Sequence, residues 1–239
     1  MSEWLSISVL TLLAGLAMVF GALIASVEHI SNRWLENEFR HTVIAFGGGI
    51  LVSAISLVLV EEGMRNLTLF PAVFCFGAGG CAFMYIDMIL STNHGSAAQL
   101  TAMLTDFIPE SIALGALYLL DKPHAILLAC LIALQNIPEG FNAYLELKEN
   151  SKRTGPSIIR LFFLMAFIGP ITGLSGYYFF SSHPAFISGL MLFASGGILY
   201  LVFQDIAPQS KIRNHKGPAL GAVGGFLLGM IGKMLVMNM

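Results

Sequence analysis

The sequence predicts an all-α polytopic membrane protein with eight transmembrane helices. Of its 239 residues, 56% are hydrophobic and only 11% are charged, whereas ordinary globular domains carry about 25% charged residues. Long apolar runs alternate with short polar connections along the whole chain, and a membrane-spanning helix needs roughly 20 mostly apolar residues. The formal net charge of −2 excludes a basic nucleic-acid-binding protein, and the apolar content excludes a disordered chain.

The predicted helices follow one another without room for a soluble domain, so residues 1–239 are expected to form one membrane domain. Links such as 121–123 and 181–183 are so short that the helices they join must be antiparallel neighbours. In order, the predicted spans are 4–27, 42–62, 68–90, 98–120, 124–147, 157–180, 184–207 and 217–237.

The basic residues orient the predicted helices, because Lys and Arg are enriched in cytoplasmic connections. If the N-terminus lies outside, nine basic residues fall in the inner connections and three in the outer ones. The inner residues are Arg33, Arg40, Lys148, Lys152, Arg153, Arg160, Lys211, Arg213 and Lys216, and the outer ones are Arg65, Lys122 and Lys233. Both termini are therefore expected outside.

A short internal repeat links spans two and seven. Residues 48–51 and 196–199 both read Gly-Gly-Ile-Leu, and the two spans run in opposite directions across the membrane. Inverted repeats of spans 1–3 and 6–8 would leave such a match. Chance recurrence in glycine-rich helices is the alternative, since small residues are favoured wherever membrane helices pack.

Acidic residues lie inside spans four and five, where the bilayer disfavours charge. Asp106 and Glu110 are four residues apart, as are Gln135 and Glu139, so each pair shares one helix face. A proline precedes each glutamate, Pro109 in span four and Pro138 in span five, and a proline inside a helix removes one hydrogen bond and kinks the axis. The two polar faces are expected to converge near the middle of the membrane.

The interiors of these two spans contain no Lys or Arg to neutralise the three carboxylates. A charged group at the centre of the bilayer costs about 2.5–3.5 kcal/mol on insertion scales. The carboxyl groups must therefore be protonated, solvated or paired with a bound cation. A divalent metal bound by three carboxylates and an amide oxygen would satisfy all of them, while a protonated cluster that bridges the helices is the structural alternative.

These two segments resemble the proline-glutamate motifs of the ZIP family of zinc/iron permeases. The family motifs in spans four and five are often His-Asn-x-Pro-Glu-Gly, and residues 135–140, QNIPEG, match the bacterial form of the fifth-span motif. Span four departs from the pattern, with Asp106 in place of His, Phe107 in place of Asn and Ser111 in place of Gly. The resemblance covers nearly the whole chain and implies eight spans in a 3+2+3 arrangement with inverted repeats.

The resemblance also implies a pathway for metal ions. The implied metal ligands are Asp106, Glu110, Gln135 and Glu139, with Asn136 as an auxiliary contact, and the implied exit is lined by Asp87, Gln204 and Asp205. One metal is expected rather than two, because Phe107 cannot ligate. Glu61 and Glu62, at the outer end of span two, would form an entrance that concentrates cations, or else an ordinary solvated helix end.

The expected function is transport of divalent metal cations into the cytoplasm, without a cofactor and through a bacterial inner membrane. Zinc is expected first from the resemblance, although an all-oxygen ligand set also suits Mn²⁺ and Fe²⁺. A transport-deficient regulatory relative is one alternative. A metal-dependent intramembrane enzyme is another, although the sequence lacks HExxH and GxSxG motifs. The lipid bilayer is the expected partner and nucleic acid is not. The sequence does not decide whether the protein forms a homodimer.

Overall fold

A computed structural model describes residues 2–27, 33–91, 96–180, 183–212 and 215–238 of the chain. The described residues form helices and turns without strands, and eight helices are long and apolar enough to cross a membrane. The all-α fold class and the number of spans are therefore confirmed. The helices are α1 Glu3–Val27, α2 Arg33–Ala54 continuing through Ile55–Leu59 and Val60–Met64, α3 Leu69–Ser91, α4 Ser96–Leu120, α5 Lys122–Asn150, α6 Gly155–Ala166 continuing through Ile168–Ser175 and Gly176–Phe180, α7 Pro184–Leu201 continuing through Val202–Ile206 and Ala207–Ser210, and α8 Gly217–Met237.

Most helix ends lie within a few residues of the predicted ones, and α2 shows the largest difference. It begins at Arg33, nine residues before the predicted span, and its candidate membrane span is Glu38–Met64. The link between α4 and α5 is a single residue, Asp121, whose side chain accepts a hydrogen bond from the backbone N–H of His124. Asp at the N-cap followed by Pro in the first turn is a strong helix start, which explains the tight antiparallel turn.

The helices pack as two related sets of three around α4 and α5. Helix α1 packs on α5 as α6 packs on α4, and α2 packs on α8 as α7 packs on α3. The contacts of α2 with α5 likewise correspond to those of α7 with α4. Exchanging α1–α3 with α6–α8 and α4 with α5 therefore preserves the packing, as inverted repeats in a 3+2+3 arrangement require.

Glycines set the distance between α2 and α8. A Cβ atom on Gly49 would collide with the backbone carbonyl of Ala222, and a Cβ atom on Gly225 would collide with that of Phe46. Each helix therefore presents a glycine to the backbone of the other. Such close approach favours association of membrane helices, because it maximises van der Waals contact.

The same reciprocal glycine contact joins α3 and α7. Gly79 faces the carbonyl of Phe193, and Gly196 faces the carbonyl of Phe76. The repeat therefore equates Gly196 with Gly49 on α2, since both carry the reciprocal contact. The Gly-Gly-Ile-Leu match, which pairs Gly196 with Gly48, is one residue out of register.

Candidate metal site

The acidic residues of α4 and the glutamine of α5 meet in the interior of the bundle. The side-chain Nε2 of Gln135 donates hydrogen bonds to both carboxylate oxygens of Glu110, at 2.8 Å each. Glu110 and Gln135 are fully buried, and Asp106 is 6% exposed. Asp106 and Glu139 lie within hydrogen-bonding distance of each other, and both lie close to Glu110. The four predicted ligands thus form one cluster.

The inverted repeat explains why Glu110 faces Gln135. Gly115 on α4 and Gly140 on α5 occupy equivalent positions, because each packs against a backbone carbonyl of the adjoining helix, that of Gly173 on α6 and that of Met18 on α1. Glu110 and Gln135 each lie five residues before the equivalent glycine. They are thus symmetry partners, whereas the sequence motifs pair Glu110 with Glu139, one helical turn away.

Several oxygen atoms in this cluster have no hydrogen-bond donor among the described residues. They are Oε1 of Gln135 and both carboxylate oxygens of Glu139. Asp106 is better satisfied, since its Oδ1 accepts the backbone N–H of Phe107 at 2.9 Å. None of the ion pairs between described residues includes these carboxylates. Buried polar atoms rarely lack partners, so the cluster presents an uncompensated set of acceptors.

A cavity of about 110 Å³ connects this cluster to one end of the bundle. We call this end the Arg40 end, because Arg40 there contacts Asn142 and Glu149 near the end of α5. The cavity runs from Asp106 and Glu139 past Asn142 and is walled by α2 and α7. Asp106 and Glu139 face open space, whereas Glu110 and Gln135 lie behind them, one turn further from the Arg40 end.

The other half of the bundle, toward the end that carries His124 at the start of α5, is filled with aliphatic side chains. We call this the His124 end. The filling residues are at most 1% exposed and belong to one hydrophobic cluster. They are Val58, Leu59, Leu114, Leu117, Leu128, Leu131 and Ile132. Those on α4 and α5 lie one to two turns beyond Glu110 and Gln135. The described cavity therefore approaches the carboxylates from the Arg40 end only.

The three residues expected to line the exit lie in different places. Asp205 lines the same cavity as Asp106 and Glu139. Asp87 instead accepts a hydrogen bond from the hydroxyl of Tyr200 at 2.9 Å. Gln204 is exposed in a separate shallow depression of α7 beside Tyr200. Only Asp205 of the three thus shares the cavity with the cluster.

Asn136 and the two prolines also have defined places. The Asn136 side chain points away from the cluster, because its Nδ2 donates a hydrogen bond to the backbone carbonyl of Ala14 on α1 at 2.8 Å. Pro109 and Pro138 both lie inside continuous helices. Pro138 lines the cavity, and a Cβ atom on Gly47 would lie 2.8 Å from its ring. The proline of α5 thus forms part of the cavity wall.

Polar residues that the sequence reasoning did not single out line the cavity mouth. Asn142 accepts a hydrogen bond from Arg40 at 3.2 Å and donates to Glu146 at 3.4 Å and to Gln209 at 3.5 Å. The sequence contains a pattern that could have identified Asn142 and Glu146. Positions 135, 139, 142 and 146 are polar at spacings of four, three and four, which places them on one face of α5.

Glu61 and Glu62, expected at the entrance, lie in an ion-pair network at the His124 end. Lys233 of α8 is 2.6 Å from Glu61 and 2.8 Å from Nε2 of His124. On the other side of the network, Arg65 is 2.9 Å from Glu62. The network joins α2, α5 and α8, so the predicted entrance carries basic partners at this end. Among them, His124 and Lys233 were not singled out from the sequence.

Asp121, in the link between α4 and α5, completes this network. Its Oδ2 lies 2.8 Å from Nδ1 of His124 and 3.5 Å from Arg65. Burial alone would raise the pKa of Asp121, but the hydrogen bonds from His124 and the nearby charge of Arg65 lower it overall. Asp121 is therefore held as a carboxylate.

No protein-family model and no curated protein matches this chain. What the two polar clusters could bind is therefore inferred from their own side chains. The cluster of α4 and α5 combines three carboxylates and an amide oxygen, which are ligands for divalent cations. The network at the His124 end combines carboxylates, an imidazole and two basic side chains.

Proposed function

We propose that the protein transports divalent metal cations across the membrane through the carboxylate cluster of α4 and α5. The observation that carries this proposal is the set of buried oxygens on Gln135 and Glu139 that have no donor. A cation bound among them and the neighbouring carboxylates of Asp106 and Glu110 would supply the missing partner. Metal ligation by carboxylates needs their deprotonated form, and no basic residue competes for them among the described ion pairs.

The hydrogen bonds of Glu110 favour a metal over a protonated carboxyl cluster. Gln135 donates to both oxygens of Glu110 at equal distance, an arrangement that suits the ionised form of this carboxylate. An ionised carboxylate that is fully buried requires a counter-charge. A divalent cation between Glu110, Asp106 and Glu139 provides it.

The inverted repeat and the one-sided cavity favour transport over catalysis. Repeats of this kind alternate between two conformations in which a central site faces opposite sides of the membrane. Here the cavity reaches Asp106 and Glu139 from the Arg40 end, while aliphatic side chains fill the other half. With nine basic residues against three, the Arg40 end is expected to face the cytoplasm. The described conformation would then release metal inward.

The ligand set supports one bound metal with an all-oxygen first shell. Phe107 is 1% exposed and cannot ligate, and the Asn136 amide is engaged with Ala14, so neither residue supports a second, neighbouring ion. Oxygen ligands accept Zn²⁺, Mn²⁺ and Fe²⁺. We propose zinc first because QNIPEG, residues 135–140, resembles the fifth-span motif of the ZIP family.

Uptake into proteoliposomes tests this function. We expect the purified wild-type protein to move at least one of Zn²⁺, Mn²⁺ and Fe²⁺ down its gradient, and Glu139→Gln to lower the rate by at least about tenfold, because loss of one ligand charge costs more than about 1.4 kcal/mol. Glu149→Gln is the matched control, since Glu149 lies on the same helix but is exposed. Absence of transport for all three metals in the wild type, or equal rates for the two variants, would contradict the proposal.

A further inference from the structure

Lys233 is a buried lysine inside a membrane-spanning helix. Its residue is only 7% exposed, and its ammonium group contacts Oε2 of Glu61 at 2.6 Å and Nε2 of His124 at 2.8 Å. An ammonium group has only hydrogens to donate. The contacted nitrogen of His124 must therefore present its lone pair, which is the same lone pair that a metal ion would use.

Glu62 adds a third potential ligand beside these two. One ligand atom each from Glu61, Glu62 and His124 lies within 4.8 Å of the others, close enough to surround a single ion. Glu62 is 6% exposed, and its Oε1 is buried without a hydrogen-bond partner among the described residues. That atom lies 3.9 Å from Nδ1 of His124. A buried and unpartnered carboxylate oxygen thus points into the cluster.

The charges of the network also leave room for a cation. Glu61, Glu62 and Asp121 contribute three negative charges, whereas Lys233 and Arg65 contribute two positive ones. Removing the ammonium group of Lys233 from the network would leave a formal charge of −2 with His124 neutral. A divalent cation in its place would compensate that charge.

We infer that Glu61, Glu62 and His124 form a second divalent-metal site at the His124 end, which Lys233 occupies as a tethered cation until a metal displaces its ammonium group. The ligand class is a divalent ion that accepts both carboxylate and imidazole, of which Zn²⁺ is the representative. The choice of a divalent metal as the displacing cation rests on the proposed function. Because Lys233 belongs to α8 and His124 to α5, the exchange would couple metal arrival to separation of these helices.

Zn²⁺ binding in a protein that lacks two of the three carboxylates of the α4–α5 cluster tests this second site. In an Asp106→Asn/Glu139→Gln background, we expect Lys233→Gln to bind one Zn²⁺ at least about tenfold more tightly than the background protein, because a fixed positive charge no longer opposes the dication. Lys122→Gln in the same background is the matched control, since Lys122 is an exposed lysine at the same end, paired with Glu3. It is expected to leave Zn²⁺ affinity unchanged.

Adding His124→Ala to the Lys233→Gln protein is expected to abolish the gain in affinity, since one ligand is removed. Equal Zn²⁺ affinities for Lys233→Gln and Lys122→Gln would overturn the inference. So would a gain that survives His124→Ala, because the metal would then bind elsewhere. These results are independent of transport, so failure of the second site and failure of the proposed function are distinguishable.

Amine labelling tests the same exchange in a protein that retains Lys233, in case substitution of this residue prevents folding. In the Asp106→Asn/Glu139→Gln background, Lys233 is buried and should react slowly with an amine-specific reagent, whereas exposed Lys122 should react readily. We expect saturating Zn²⁺ to increase labelling of Lys233 several-fold, read by mass spectrometry, with labelling of Lys122 unchanged. Labelling of Lys233 that does not respond to Zn²⁺ would contradict displacement of its ammonium group.

Discussion

Replacing Gly79 with alanine tests the close packing of α3 against α7, on which the inverted-repeat arrangement depends. A Cβ atom at Gly79 would collide with the backbone carbonyl of Phe193. Backbone cannot move aside as a flexible side chain can, so the two helices would have to separate. Gly77→Ala is the matched control, because it lies on the same helix two residues away and a Cβ atom there meets nothing within 4 Å.

The two substitutions are expected to change the stability of the protein in opposite directions. Overpacking costs roughly 1–3 kcal/mol, whereas Gly→Ala inside an exposed helix gains up to about 1 kcal/mol from helix propensity. Gly77→Ala should therefore be neutral or stabilising, and Gly79→Ala should destabilise the protein by about 1–2 kcal/mol net. For a chain of this length, that loss corresponds to a fall of roughly 2–8 °C in the unfolding midpoint.

Thermal unfolding of the two purified variants in the same detergent measures this difference. We expect the midpoint of Gly79→Ala to lie below that of the wild type and the midpoint of Gly77→Ala to equal or exceed it. If Gly79→Ala unfolds at the same temperature as Gly77→Ala or above it, the close approach of α3 and α7 is wrong. The equivalence of Gly196 with Gly49 would then lose its basis.

The remaining predictions concern the cavity, metal selectivity and pH. Asp205→Asn should lower metal uptake several-fold while Gln204→Ala leaves it unchanged, because Asp205, unlike Gln204, lines the cavity that contains Asp106 and Glu139; equal rates in proteoliposomes would contradict this. Asp106→His should shift uptake toward Zn²⁺ relative to Mn²⁺, because imidazole favours zinc; an unchanged ratio in a competition assay would count against the ligand argument. The pKa of Asp121 is lowered in the folded protein, so its stabilising effect is complete above the pKa of the unfolded chain and is lost as the pH falls through the folded-state pKa. Asp121→Asn should therefore flatten the loss of unfolding temperature on acidification, and a persistent loss of the same size would refute this role.

Much of the fold could be predicted, because apolar run length in a membrane is a direct physical constraint. Single residues are harder to place, as α2 shows: its helix extends through a polar stretch from Arg33 that hydropathy does not distinguish from a loop. The repeat register shows the same limit. The Gly-Gly-Ile-Leu match pairs Gly48 with Gly196, but the residue that meets the partner backbone is Gly49, and this depends on packing between helices distant in sequence.

The cluster of α4 and α5 was predictable because its members lie four residues apart on adjacent helices. The sequence motifs nevertheless align Glu110 with Glu139, whereas in the structure Glu110 faces Gln135 and the packing of Gly115 and Gly140 makes these two residues symmetry partners. At the His124 end, the partners of Glu61 come from α5 and α8. Spacing along one helix carries no information about such contacts.

A metal-bound structure with an anomalous signal at the absorption edge of the bound ion tests the central claim most directly. We expect a peak within coordination distance of Asp106, Glu110, Gln135 and Glu139, with carboxylate oxygens about 2.0–2.2 Å from a zinc ion. In Glu139→Gln crystals grown under the same conditions, this peak should weaken or vanish. A saturated crystal without density among these four side chains, or an unchanged peak in Glu139→Gln, would contradict the account.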